Sequence, residues 1–125
     1  MTVKKRPKHL DLPKIRLPLP GFVSILHRVS GAGLFLLLPF LLYLLQLSLG
    51  SAESYAAFQA VVANPIAKLI LFGLLWAFLH HLCAGIRFLA LDLGYGLTLE
   101  KARASSGAVL AVSLALTLIL GVRLW

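Results

Sequence analysis

Three long apolar runs follow one another along the chain and dominate its pattern. They cover residues 22–49, 65–93 and 106–125, and about 20 helical residues suffice to cross a bilayer core of roughly 30 Å. We therefore predict an all-α integral membrane protein with three transmembrane helices. Residues 1–20, which are basic and rich in proline, form an arm before the first span, and residues 21–125 form the membrane domain.

Turn and capping residues mark the limits of these helices. Asn64 followed by Pro65 is typical of a helix start, because asparagine caps the free N–H groups and proline suits the first turn. The stretch GYG at 94–96 predicts the end of the second span. Thr98 offers an earlier cap for the third helix, and the weakly amphipathic linker 50–64 predicts a short helix on the membrane surface.

Composition supports the membrane assignment. The chain is 60% hydrophobic and 13% charged, whereas soluble domains are about 45–50% apolar and about 25% charged. The net charge of +8 would suit nucleic acid, but the cations lie in the loops and ends of an apolar chain. They are better explained as topology signals and contacts to lipid head groups. The single cysteine, Cys83, excludes an internal disulfide and a multi-cysteine metal site.

The distribution of lysine and arginine predicts the orientation in the membrane. Ten of the 12 cations lie on the side of the N-terminus and the second loop, and only Lys68 and Arg123 lie on the other. Cytoplasmic segments carry the excess of positive charge. We therefore predict a multi-pass membrane protein with a cytoplasmic N-terminus and an external C-terminus.

The first span opens with a polar face. In the stretch SILHRVSG, residues Ser24, His27, Arg28 and Gly31 are spaced i, i+3, i+4 and i+7, which brings them to one side of a helix. Charged and titratable groups inside a span are costly and mark functional candidates. The polar residues of this face are therefore candidates for a functional role.

The second span carries its own titratable residues in its cytoplasmic half. These are His80, His81, Arg87 and Asp92. A histidine followed one turn later by glycine, as in His81 and Gly85, suits a flat macrocycle, because imidazole can ligate iron and the missing side chain admits the ring plane. Arg87, His27 and Arg28 lie near the same depth, where cations can hold the anionic propionates of a haem.

The same residues have plainer interpretations. A membrane histidine can serve only to hydrogen-bond a neighbouring helix, and Gly85 can be a packing residue. Arg28 and Arg87 can extend to the head groups without any other role, and Asp92 can pair with an arginine at the interface. Composition and spacing do not by themselves indicate haem, and a haem-free structural anchor or a small transporter subunit is the alternative.

Two separated motifs resemble those of the cytochrome b membrane-anchor subunits of succinate dehydrogenase, respiratory complex II. The stretch RPKHLDLPKIRLPLPGFVSILHRVSG (6–31) resembles a signature of Arg-Pro, then His-Leu or Asn-Leu, then Ser-Ile-Leu-His-Arg-x-Ser/Thr-Gly. The stretch HLCAGIRFLALDLG (81–94) resembles His-x-x-x-Gly-x-Arg-His-x-x-x-Asp, with Phe88 where that family often has histidine. The resemblance covers nearly the whole chain and implies a three-span subunit of a heteromeric helical bundle.

The resemblance implies how haem b would be held. His81, and not the adjacent His80, matches the axial ligand of the iron, and the second ligand would come from a histidine of a second membrane-anchor subunit. His27 matches a residue near the haem propionates. Because Phe88 removes one propionate contact of the family, Arg87 or His27 would take its place.

The resemblance also implies a quinone site and a reaction. Ser24 and Arg28 match residues that line the ubiquinone site, Ile25 would contact the quinone ring, and Asp92 would lie near the quinone and its proton supply. Electrons from succinate would pass from a flavoprotein subunit through an iron–sulfur subunit to ubiquinone, so this chain would not itself oxidise succinate. The related alternative is the anchor of a fumarate reductase, in which menaquinol donates electrons in the reverse direction.

Overall fold

The computed structural model shows a helical chain. It describes residues 8–9, 11 and 13–125, so residues 1–7, 10 and 12 of the predicted arm, with three of the cations used for the orientation, lie outside the described residues. The helices are α1 (Leu19–Leu49), α2 (Ala52–Ala63), α3 (Pro65–Asp92) and α4 (Leu99–Leu124). The described residues form no strand, and α1, α3 and α4 are long and apolar enough to cross a membrane. The predicted fold class is therefore confirmed.

Local chemistry explains where α3 and α4 begin. The Asn64 side chain accepts hydrogen bonds from the backbone N–H groups of Ile66 and Ala67 at 2.9 and 3.3 Å, and Pro65 occupies the first turn. The Thr98 hydroxyl accepts from the Lys101 N–H at 3.4 Å, so α4 begins at Leu99, at the earlier of the two positions that the sequence offered.

Glycine ends α3 and turns the chain towards α4. Gly94 and Gly96 have φ angles of +85° and +73°, in the left-handed region that other residues rarely adopt. The linker before α3 forms helix α2, capped by a reciprocal pair in which the Ser51 and Ser54 side chains each accept from the other's backbone N–H.

Helix α3 packs against both α1 and α4. The face of α4 towards the interior is made of small residues, and its hydroxyl groups bond to their own helix: Thr117 Oγ1 donates to the Ser113 carbonyl at 2.7 Å, and Ser113 Oγ to the Leu110 carbonyl at 3.2 Å. The Phe72 ring of α3 lies on Gly121 of α4. Small residues let membrane helices approach closely. The bonds to backbone carbonyls satisfy the hydroxyl groups of Ser113 and Thr117.

Much of the outer surface is apolar, with leucine, phenylalanine and valine side chains exposed along all three long helices. In water such a surface would aggregate, whereas in a membrane it meets lipid or other helices. The buried core is correspondingly small and centres on Val23, Ala84 and Val109, one residue from each long helix. This core lies at the same level as the titratable residues of α1 and α3.

Candidate functional site

The two histidines of the predicted motifs meet between α1 and α3. The rings of His27 and His81 stack with their centroids 4.0 Å apart and their planes 9° from parallel. Gly31 makes room for this pair, because a Cβ atom there would lie 2.8 Å from Cε1 of His81. Gly31 of the first motif thus leaves space for the His81 ring of the second motif, so the two stretches together form one site.

Hydrogen bonding fixes which nitrogen of His81 carries the proton. Its Nδ1 atom lies 3.0 Å from the backbone carbonyl oxygen of His27 and 3.2 Å from the Ser30 hydroxyl. A carbonyl oxygen can only accept, so Nδ1 is the donor and the Nε2 atom of the neutral ring keeps its lone pair. A donated Nδ1–H is the usual arrangement of a metal-binding histidine, whose other nitrogen is then oriented for the metal.

His80 has a different environment from its neighbour. Its side chain is 0% exposed, and neither ring nitrogen has a hydrogen-bond partner among the described residues. The Trp76 ring lies against it, with the centroids 5.4 Å apart. His81, in contrast, is partly exposed. Of the two adjacent histidines, only His81 is therefore accessible from outside the chain.

The predicted quinone residues lie near the N-terminal end of α1 and at the C-terminal end of α3. Ser24 and Ile25 are half-buried in the first turns of α1, Arg28 is exposed one turn later, and Asp92 is exposed at the last residue of α3. Within the described part of the chain, the Ser24, Arg28 and Asp92 side chains form no hydrogen bond or ion pair with one another or with other residues. Their polar groups are thus available to a ligand.

A protein-family model agrees with the two motifs and the helices. The family of the succinate dehydrogenase/fumarate reductase transmembrane subunit matches residues 2–120. The chain belongs to this family. Membership confirms the resemblance to this family, and the match covers α1, α3 and most of α4.

Several curated members of the family resemble the chain over almost its full length. It is 43% identical over 122 residues to the succinate dehydrogenase cytochrome b556 subunit of Coxiella burnetii, covering 97% of this chain and 98% of that protein. It is 36% identical to the cytochrome b556 subunit of Paracoccus denitrificans, over 91% and 88% of the two chains. It is 31% identical to the cytochrome b560 subunit of Reclinomonas americana, over 91% and 83%. These matches support a cytochrome b membrane subunit of a succinate dehydrogenase complex.

Arg87, in the second motif of the family, is bound to α4. Its side chain is 8% exposed. Its Nε atom donates to Ser105 Oγ at 2.8 Å and its Nη2 atom to the Ala102 carbonyl at 3.4 Å. A guanidinium group has five N–H donors, so donors remain for a further anion. Arg87 thus joins α3 to α4 whether or not it also contacts a propionate.

Replacing Arg87 with leucine should therefore loosen α4. Interhelical hydrogen bonds in membranes are worth about 1–2 kcal/mol in model systems, and this change removes two of them. We expect a lower thermal denaturation temperature of the purified complex, whereas the same replacement at the exposed Arg103 should leave it unchanged. Equal stability of the two variants would show that the bonds to Ser105 and Ala102 contribute little.

Phe88 occupies the position where the family often has histidine. Its ring packs edge-on against His27, with the centroids 5.1 Å apart and the planes at 64°. The Arg87 guanidinium carbon lies 5.6 Å from the centre of the same ring. Phe88 therefore packs against the histidine pair. The difference from the family's usual histidine did not by itself indicate this contact.

Two residues of the site were not predicted from the sequence. Ser30 contacts His81, and Ser105 binds Arg87. Ser30 lies three residues after His27, on the polar face of α1, and this spacing was a signal that could have drawn attention to it. Nothing in the apolar sequence of α4 indicated Ser105, because its role depends on how α4 is aligned with α3.

Proposed function

We propose that the chain is the haem b-binding and quinone-binding membrane anchor of a succinate dehydrogenase complex. The observation that carries the proposal is the Nδ1–H bond from His81 to the His27 carbonyl, which leaves a lone pair on Nε2 of this partly exposed residue. The family match and the cytochrome b names of the relatives support the same ligand. The chain takes part in an enzyme complex without oxidising succinate itself.

The residues around His81 fit a haem. Nε2 of His81 and a histidine of the second membrane-anchor subunit would hold the iron. His27, whose side chain makes no hydrogen bond within the described residues, and the remaining donors of Arg87 would hold the propionates. When bound, haem b supplies a one-electron redox centre within the membrane.

The polar groups at the start of α1 suit a quinone head group. The Ser24 hydroxyl can donate to a quinone carbonyl oxygen, and the Arg28 guanidinium can stabilise the negative charge that develops on the ring during reduction. Ile25 would contact the ring, and Asp92 would pass protons from the cytoplasm. The balanced reaction oxidises succinate to fumarate on the flavoprotein subunit and sends two electrons through the iron–sulfur subunit. Ubiquinone takes up these electrons with two protons.

The distribution of cations supports the accompanying topology. Ten of the 12 lysines and arginines lie on the side of Ser24, Arg28 and Asp92. With this side in the cytoplasm, the N-terminus is cytoplasmic and the C-terminus periplasmic in the bacterial inner membrane. The quinone site then faces the soluble flavoprotein and iron–sulfur subunits, which supply its electrons.

Purification of the assembled complex tests the proposal as a whole. We expect a b-type absorption spectrum on reduction, bound ubiquinone on extraction, and quinone reduction driven by succinate. A complex without haem would point to a purely structural anchor, and bound menaquinone with faster fumarate reduction would point to the reverse reaction. Either result would overturn the proposed function.

Variants of the quinone residues test the site. We expect Ser24→Ala to lower quinone reduction about tenfold through a lost hydrogen bond, and Arg28→Leu to lower it roughly a hundredfold through lost charge stabilisation. Reduction of an artificial dye by the soluble subunits should remain intact in both.

Controls for these two variants lie at the other end of the spans. Ser48→Ala, at the far end of α1, and Arg123→Leu, at the far end of α4, make the same chemical changes and should reduce quinone normally. Equal loss of dye and quinone reduction in Ser24→Ala and Arg28→Leu would indicate failed assembly and refute a role in the quinone site.

A further inference from the structure

Ser30 makes one contact more than an ordinary buried serine of a membrane helix. Its hydroxyl donates to the His27 carbonyl three residues earlier at 2.9 Å, a common bond within a helix. The same oxygen lies 3.2 Å from Nδ1 of His81 on the other helix, and the side chain is only 8% exposed. Since the hydroxyl proton goes to the carbonyl, the oxygen is free to accept from the His81 Nδ1–H.

Three groups thus form a closed set of hydrogen bonds. The His81 Nδ1–H is shared between the His27 carbonyl oxygen and Ser30 Oγ, and the Ser30 hydroxyl donates to the same carbonyl. Rotating the imidazole about its last side-chain bond would direct a C–H group at these two oxygen atoms. The stacked His27 ring limits the other movements of His81.

We propose that Ser30 is a positioning residue that fixes the orientation of His81 and adjusts the electron density at its Nε2 atom. This inference rests on the proposed function, in which Nε2 ligates the haem iron. A second acceptor for Nδ1–H makes the imidazole a more basic ligand, and hydrogen bonding to an axial ligand is one of the means by which a protein sets a haem potential. A more basic ligand favours ferric iron, so Ser30 lowers the midpoint potential.

Ser113 provides a matched control within the same chain. It is also a buried serine of a membrane-spanning helix, and its hydroxyl likewise donates to the carbonyl three residues earlier, at 3.2 Å. It has no hydrogen bond to another helix among the described residues. Comparing Ser30→Ala with Ser113→Ala therefore isolates the contact to His81 from the bond that both serines make within their own helix.

The experiment uses the assembled complex and three variants: Ser30→Ala, Ser30→Thr and Ser113→Ala. For Ser30→Ala we expect a higher haem midpoint potential and a shifted ferric electron paramagnetic resonance signal, because the ligand ring loses an acceptor and gains freedom to rotate. Ser30→Thr keeps the hydroxyl and should behave as wild type, and so should Ser113→Ala. Haem content is measured in parallel.

The outcomes separate this inference from the proposed function. A potential in Ser30→Ala that is unchanged or lower, with an unchanged resonance signal, would overturn the role of Ser30 while leaving His81 as the ligand. An equal shift in Ser30→Thr or Ser113→Ala would also overturn it, because the effect would then not follow the hydroxyl at position 30. If haem remains bound after His81 itself is replaced, the ligand assignment of the proposed function is refuted, and the inference about Ser30 is refuted with it.

Discussion

Replacing His81 with phenylalanine abolishes the haem absorption of the assembled complex, whereas the same replacement at His80 preserves it. This is the largest effect that we expect from a single substitution in the chain. Of the two, only His81 combines a protonated, hydrogen-bonded Nδ1 atom with partial exposure of the residue. His80 is 0% exposed, so its ring nitrogens are closed to a group bound at the surface of the chain.

The replacement at position 81 is mild for the protein itself. Phenylalanine can keep the stacking against His27, and the His27 carbonyl still accepts from the Ser30 hydroxyl, so no buried acceptor loses its only partner. At position 80, phenylalanine removes two ring nitrogens that have no described partner, which should not destabilise the core. Both variants should therefore assemble.

The measurement is the reduced absorption spectrum of each purified complex, with subunit content and succinate-driven dye reduction as evidence of assembly. We expect His81→Phe to contain all its subunits and reduce the dye while lacking the reduced α-band. A normal spectrum in this variant would contradict the ligand assignment. Loss of haem in His80→Phe but not in His81→Phe would transfer the role to His80.

The helices of this protein could be predicted from the sequence because their signals are local. An apolar run long enough to cross a bilayer needs no partner to be recognised. Asn64 and Pro65 start α3 through groups within the same turn, and the glycines at 94 and 96 end it through their own backbone angles. These features depend on neighbours along the chain, which the sequence displays directly.

The choice between His80 and His81 could not be made from periodicity. In a soluble helix the apolar stripe shows which side is buried, but a membrane helix is apolar all round, so its rotation leaves little trace in the sequence. The glycine one turn after His81 and the match to a motif favoured His81. The structure adds the physical distinction, since it buries one imidazole completely and leaves the other partly open.

The contacts between helices could not be predicted from the sequence either. The stacking of His27 on His81 and the bond from Arg87 to Ser105 both depend on how two distant helices are aligned. That alignment follows from close packing, in which Gly31 fits under an imidazole and Phe72 on Gly121. Such fits are properties of pairs of surfaces, which no single stretch of sequence describes.

Adding one methyl group at Gly31 should disturb the site more than adding one at Gly33. A Cβ atom at Gly31 would lie 2.8 Å from Cε1 and 3.2 Å from Nδ1 of His81, so the imidazole must move. It cannot move freely, because its Nδ1–H is bonded to α1 and its face lies on His27. Overpacking of this kind typically costs about 1–3 kcal/mol, and here the displaced group is the proposed ligand.

Gly33 is the matched control, since a Cβ atom there would meet no described atom within 4 Å beyond its chain neighbours and the backbone of its own helix. We expect Gly31→Ala to lower both the haem content and the thermal stability of the purified complex. Gly33→Ala should change neither, because its added methyl group meets no other helix of this chain. Equal haem loss in both variants would show that helix contacts with another subunit, rather than the fit of His81 over Gly31, limit haem binding. A normal haem content in Gly31→Ala would mean that the imidazole can shift without losing the iron, which would remove the steric reason for a glycine at this position.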